Sequence, residues 1–213
     1  MVAPKQNNRY NSGMTKPLAF SDQLETWLHS RKPKTIAGLI SVSGEKSFAL
    51  VFLVLMAIPA LPIPTGGVTH VFEVIVILLC LELIIGRRTI WLPKRWLHRK
   101  LGKTITTRGL PYLIRKVRWL EKYSRPRMRG LLAKRLYLRL VGLTVLVLTI
   151  GAFIAPPFSG LDTLPSMGAV GIALGLILED AVIYVLGLTI GIGGIALEIG
   201  LGAAVTETIT RLF

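Results

Sequence analysis

Cysteine is almost absent from this chain of 213 residues. Cys80 stands alone, so no disulfide can form within it, and its apolar surroundings mark it as a packing residue rather than a reactive thiol. Histidine is nearly as scarce: His29, His70 and His98 are far apart and have no metal-ligand spacing. No serine or cysteine nucleophile motif is present. Gly102-Lys103-Thr104 resembles the end of a phosphate loop, but Leu97 stands where the loop's first glycine is required. Gly191-x-Gly193-x-x-Ala196 imitates a dinucleotide fingerprint, yet it lies in an apolar stretch without strand–turn–helix context. The sequence therefore reads as a non-enzyme with no catalytic residue, no cofactor and no metal. The first twenty residues are polar, carry Lys5, Arg9 and Lys16 and lack an apolar core, so no cleavable signal peptide is expected.

Acidic residues are few: 11 Asp and Glu stand against 26 Lys and Arg, for a net charge of +15. Residues 87–139 hold 18 of the basic residues and one acid, Glu121, while residues 1–46 hold seven basic and three acidic residues. Around this charge the chain is 52% hydrophobic, and its apolar residues are bunched into segments. Five candidate segments stand out: Ser47–Leu61, Val68–Ile85, Leu138–Ala155, Met167–Leu178 and Ala181–Leu197. A crossing helix needs roughly 20 apolar residues, and several of these are shorter. The sequence reads as an all-α integral membrane protein. Basic flanks stay in the cytoplasm, which places the N-terminus and residues 87–139 there. Five crossings would then leave the C-terminus periplasmic.

The apolar segments break at prolines twice, in a matching way. Ser47 to Pro59 leads to Pro62, Pro64, Gly66 and Gly67, and Leu143 to Pro156 and Pro157 leads to Gly160 and Pro165. A shift of 97 residues lays Pro59 on Pro156 and Glu82 on Glu179. Proline stops a helix, and broken backbone at membrane depth must be satisfied by protein or water. The expected architecture is thus a two-fold internal repeat of proline-broken helices joined by a basic amphipathic cytoplasmic linker. The breaks are either re-entrant tips of a transporter-like fold or the loops of ordinary hairpins. A single straight helix from Met167 to Leu197 would be about 47 Å long, too long for the hydrocarbon core, so a bend is expected at Glu179-Asp180.

The domain reading follows: 1–17 disordered, 18–46 interfacial helices, 47–86 first membrane repeat, 87–137 linker, 138–199 second repeat plus final span, 200–213 tail. In 18–46, Leu24, Trp27 and Leu28 share a helical face behind a Ser21 cap. In the linker, Leu110, Leu113, Val117 and Leu120 recur at helical spacing, and Trp91, Trp96 and Trp119 suit headgroup depth. The expected partner is the anionic lipid headgroup, with Arg87, Arg88, Trp91, Arg125 and Arg127 as contacts. Nucleic acid is set aside, because flanking spans hold the linker at a bilayer. Gly171-x-x-x-Gly175 and Gly187-x-x-x-Gly191 allow close helix approach, compatible with a homodimer.

Acids inside apolar segments usually face a cavity or a partner. Glu73 and Glu82 are nine residues apart and project to opposite sides of a straight helix. Glu82 either joins the substrate pathway or sits at the cytoplasmic interface beside an arginine. Glu179 and Asp180 either form a cytoplasmic turn or titrate in a cavity. His70 follows the first break, as a water-exposed loop-tip residue or a cavity-lining one. The candidate pathway is Pro59, Pro62, Pro64, Gly66, Gly67, Glu73, Glu82, Pro156, Pro157, Asp162, Pro165, Glu179 and Asp180.

Gly44-Glu-Lys-Ser-Phe48, Ile58-Pro-Ala-Leu-Pro-Ile-Pro-Thr-Gly-Gly67 and Leu83-Ile-Ile-Gly-Arg-Arg-Thr-Ile-Trp-Leu-Pro93 resemble the ExoD family of bacterial exopolysaccharide-synthesis membrane proteins, as do Ser124-Arg-Pro-Arg127 and Gly175-Leu-Ile-Leu-Glu-Asp180. Glu82 departs from the family, which commonly has glutamine there. The resemblance implies a bacterial inner-membrane protein linked to exopolysaccharide production. Such assembly uses anionic polyprenyl-phosphate carriers, so one expectation is a small transporter or lipid-carrier translocase. The other is a non-transporting scaffold that binds anionic lipid or glycan-synthesis partners.

Overall fold

The computed structural model describes residues 19–62, 67–128, 130, 134–156 and 159–212, without the side chains of Lys94, Trp96 and 205–212. The expectations for Pro64, Gly66, Pro157 and residues 1–17 lie outside the described residues. Among the described residues the regular elements are helical, apart from one isolated bridge between Thr35 and Lys100. α1 (Phe20–His29) and α2 (Ile36–Ser43) lead through a 3-10 turn at Gly44–Lys46 into α3 (Ser47–Met56). α4 (Val68–Ile85) is followed by α5 (Lys94–Leu97), a π-type turn at Ile105–Gly109 and α6 (Leu110–Glu121). α7 (Arg135–Ile154), α8 (Thr163–Leu178) and α9 (Ala181–Leu212) complete the chain.

Among the described residues four helical stretches are long and apolar enough to cross a membrane: Ile36–Met56, Val68–Ile85, Arg135–Ile154 and Ala181–Ala204. Thr163–Leu178 is apolar but shorter. Val71, Leu78, Ile85, Ile154, Val185 and Ile199 are exposed on these helices, more apolar surface than a water-soluble monomer shows. The protein is an all-helical membrane protein.

The helix ends follow from backbone chemistry. Pro59 lacks an N–H and crowds the carbonyl four residues earlier, so α3 stops at Met56. The chain keeps turning, with Ala60 N donating to the Met56 carbonyl at 3.0 Å. α3 alone is about 15 Å long, half the hydrocarbon core. α4 ends at Gly86, whose φ of +101° is left-handed, and its N–H closes onto Leu83. Arg139 lies over Gly86, placing a cation beside the carbonyl end of α4. α8 begins two residues before Pro165, which is tolerated because first-turn residues need no N–H partner. The chain bends between α8 and α9 at Glu179, the only non-glycine with positive φ among the described residues. α9 continues to Leu212, so the segment expected as a tail is helical through that residue.

α8 is the central helix, packed on α9, α3 and α7, while α4 packs on α7. Fully buried Phe52, Met56, Val76, Val141, Leu148 and Ile172 fill the space between these helices. The α8–α9 seam is built on glycine: a Cβ at Gly168 would lie 2.4 Å from the Cα of Gly191, and one at Gly171 2.6 Å from the Cα of Gly187. Both small-residue spacings are thus consumed within one chain and carry no argument for a second copy.

α6 turns its apolar face inward. Leu110, Ile114 and Val117 are buried, and the helix packs against α1 and α8 rather than presenting that face to lipid. Arg118 pairs with Asp22 at 3.0 Å and with Glu25. Ser21 does not cap α1 as expected; its N–H and hydroxyl both donate to Glu121, whose carboxylate takes the capping position from another helix.

Candidate functional site

The two ends of the bundle differ in charge. No Lys or Arg occurs between Lys46 and Arg87, or between Arg139 and Arg211. Among the described residues, the end built from the proline breaks therefore carries acids with a single basic side chain, His70, to set against them.

His70 sits in the first turn of α4, and its Nδ1 lies 2.7 Å from Oε2 of Glu73, one helical turn on. The ring meets Phe153 of α7 edge-on, with centroids 5.1 Å apart. Glu73 is 0% exposed. Its Oε1 has no hydrogen-bond partner among the described residues, nor has the buried hydroxyl of Ser166 in the first turn of α8. Asp162, just before α8, is close enough for its charge to act on His70, Glu73 and Glu198. Burial pushes the Asp162 carboxyl above its ordinary range, against the opposing pull of its local backbone and His70. Glu198 of α9 also lines an open groove of about 610 Å³ between α7 and α9, with Val147, Ile150, Ile154, Leu161 and Ile195 among its walls. Among the described residues, Glu198 is the one ionisable residue in that lining.

The candidate pathway residues divide between the two ends. Pro59, Pro62, Gly67, Glu73, Pro156, Asp162 and Pro165 lie at the proline-break end, with Pro156 on the groove wall. Glu82, Glu179 and Asp180 lie at the basic end. Glu82 accepts a hydrogen bond from the Trp91 N–H at 2.9 Å and so fastens the linker to the last turn of α4. Glu179 pairs with Lys46 at 2.8 Å. Asp180 accepts from the N–H groups of Arg125 and Val182 at 2.8 and 2.9 Å, from the Ser124 hydroxyl at 3.2 Å and from Arg127 at 3.3 Å. These two acids therefore occupy the turn between α8 and α9, of the alternatives the sequence left open.

The expected headgroup contacts are partly committed to the protein itself. Arg127 holds Asp180, Arg88 lies 3.7 Å from Glu45, and Arg125 contributes its backbone N–H to Asp180. Arg87 stacks over the ring of Trp91 at 5.5 Å, with both side chains exposed. Trp119 and Tyr123 lie 5.2 Å apart and are also exposed.

Sequence reasoning missed Glu198 as a site residue and gave His70 no assigned role. The three-residue spacing of His70 and Glu73 on one apolar helix was the available signal. Glu198 stood out as an acid in an apolar stretch, but its neighbours come from α7 and the turn before α8, which spacing cannot show.

Comparison with known proteins places the cluster in a family context. A family model described as exopolysaccharide synthesis, ExoD, matches residues 20–199, a span that includes His70, Glu73, Asp162 and Glu198. An uncharacterized protein of Synechocystis is 33% identical over 152 residues, covering 70% of this chain and 69% of its own. Protein ExoD of Rhizobium meliloti is 32% identical over 171 residues, covering 76% of this chain and 68% of its own. No solved structure matches.

Proposed function

The chain belongs to the ExoD exopolysaccharide-synthesis family, and from that premise we propose that it moves an anionic polyprenyl-phosphate lipid carrier across the bacterial inner membrane. The observation that carries this reading is the Glu73–His70 pair, a carboxyl group buried within an apolar helix beside a partly exposed imidazole. Such residues are costly in a bilayer and mark substrate or ion pathways. The groove between α7 and α9 supports it, because an apolar wall ending at Glu198 suits an isoprenoid chain whose polar head lies at the cluster. The helix arrangement supports it too. α3 packs on α8 and α4 on α7, and exchanging the hairpin α3–α4 with α7–α8 turns each of these pairs into the other. That is the pattern expected of two equivalent broken hairpins. At the opposite end, the basic linker with exposed Trp91 and Trp119 provides the electrostatic attraction that gathers anionic headgroups.

One observation favours a scaffold instead. α1 and α6 are fastened by the Arg118 and Glu121 contacts into a platform that leaves Tyr112, Trp119 and Tyr123 exposed. Aromatic side chains of this kind suit partner surfaces as well as headgroups. Single cysteines at Ala60 and Leu161, with Cys80 replaced by serine, separate the two. Transport predicts that a water-soluble maleimide reaches both sites and that added polyprenyl phosphate slows the reaction. Labelling at both sites that the carrier leaves unchanged would favour the scaffold.

A further inference from the structure

We propose that Glu73 carries an exchangeable proton, with His70 as its gate to water and Asp162 and Glu198 as further acids at the same end. This names the coupling ion of the transport reading and rests on that reading for its biological use. The chemistry itself stands on geometry.

Glu73 lies five residues into α4, about 8 Å from the helix start, and no part of it is exposed. One carboxylate oxygen faces His70 and the other has no partner among the described residues. A bare carboxylate oxygen in such surroundings is strongly disfavoured, and a proton removes the charge. Among the described residues, no cation other than His70 is placed to do so. α3 and α8 contain no ionisable residue, and those of α7 (Arg135, Tyr137 and Arg139) lie at its opposite end. Described α9 adds Tyr184 at that opposite end and Glu198 at this one. Asp162 lies close enough for its charge to act on Glu73, and Glu198 close enough to feel Asp162. A metal ion is the less suitable occupant, since no three His, Cys, Asp or Glu side chains among the described residues are grouped to hold one.

The His70 side chain is 27% exposed while that of Glu73 is 0%, so the imidazole bridges from solvent to the buried acid. In the exchange step the imidazolium passes its Nδ1 proton to Oε2 of Glu73. A neutral imidazole protonated at Nε2 and an uncharged carboxyl remain, and the total proton count is unchanged. Coupling follows from charge alone. With protons bound, the cluster no longer repels a phosphate headgroup; once they leave, three carboxylates expel it.

The test is infrared titration of the full-length purified protein in lipid nanodiscs. A protonated-carboxyl stretch that disappears as pH is raised, is absent in Glu73→Gln, persists in Asp162→Asn and has a displaced midpoint in His70→Asn is expected. Absence of a Glu73 carboxyl band at every pH at which the protein stays folded, or a band that persists unchanged throughout, would overturn the proposal. Both outcomes are read without transport. A titrating Glu73 in a protein that moves no carrier would leave this inference standing and remove the transport reading, whereas carrier movement without a titrating Glu73 would do the reverse.

Discussion

The ammonium of Lys46 lies 2.8 Å from the carboxylate of Glu179 and equally close to the carbonyl of Ile177. One cation thereby ties the start of α3 to the carbonyl end of α8, where helix polarity favours positive charge. Replacing Lys46 with methionine keeps most of the apolar stem and removes both bonds. The expected loss is about 2 kcal/mol of stability, seen as a lower thermal unfolding midpoint in detergent, with Arg at the same position recovering part of it.

Asp180 makes a second staple at the same end. Burial alone would raise its carboxyl, but the N–H groups of Arg125 and Val182, the Ser124 hydroxyl and Arg127 outweigh burial and hold it below its ordinary value of 3.8. A depressed folded-state value means that this stabilisation is present above pH 3.8 and is lost as pH falls through the folded value. Asp180→Asn should therefore lower the unfolding midpoint at neutral pH by the equivalent of about 2 kcal/mol. The gap to the unaltered protein should close in acid. A gap that stays constant down through that window would contradict the assignment.

The glycine seam gives a prediction with an internal control. At Gly171 an added Cβ would strike the Gly187 backbone at 2.6 Å, where neither helix can yield without moving, whereas at Gly193 it would meet nothing within 4 Å. Gly171→Ala should cost about 1–3 kcal/mol. Gly193→Ala, on an open helix face, should be neutral or stabilising by up to about 1 kcal/mol. Unfolding in detergent measures both.

Much of the architecture was legible in the sequence, for reasons the structure makes plain. Val68–Ile85 was read with its observed ends, because glycine stands at both and the residues between are continuously apolar. The start of α8 was placed four residues late, at Met167, because Pro165 looked like a breaker when it stands in the first turn. The apolar spacing of Leu110, Leu113, Val117 and Leu120 marked one face of α6, which the sequence reading placed in the membrane interface rather than against the protein. What covers it was not legible, since periodicity marks a buried face without naming its partner. The same holds for the glycines, whose spacing announces close approach but not which helix approaches. Of the candidate site, Glu73 and Asp162 were identified singly. Their meeting with His70 and Glu198 depends on how α4, α7, α8 and α9 are packed.

The central claim is that this protein moves a lipid-linked anion past His70 and the buried Glu73. Its most direct measurement uses purified protein in liposomes with a fluorescent short-chain polyprenyl phosphate, following the fraction quenched by a membrane-impermeant reductant. The account predicts that the protein brings inner-leaflet probe to the quencher far faster than protein-free liposomes do. It also predicts that an imposed proton gradient changes that rate, and that Glu73→Gln removes the response. Quenching no faster than in protein-free liposomes, from protein that is folded and correctly inserted, would contradict it.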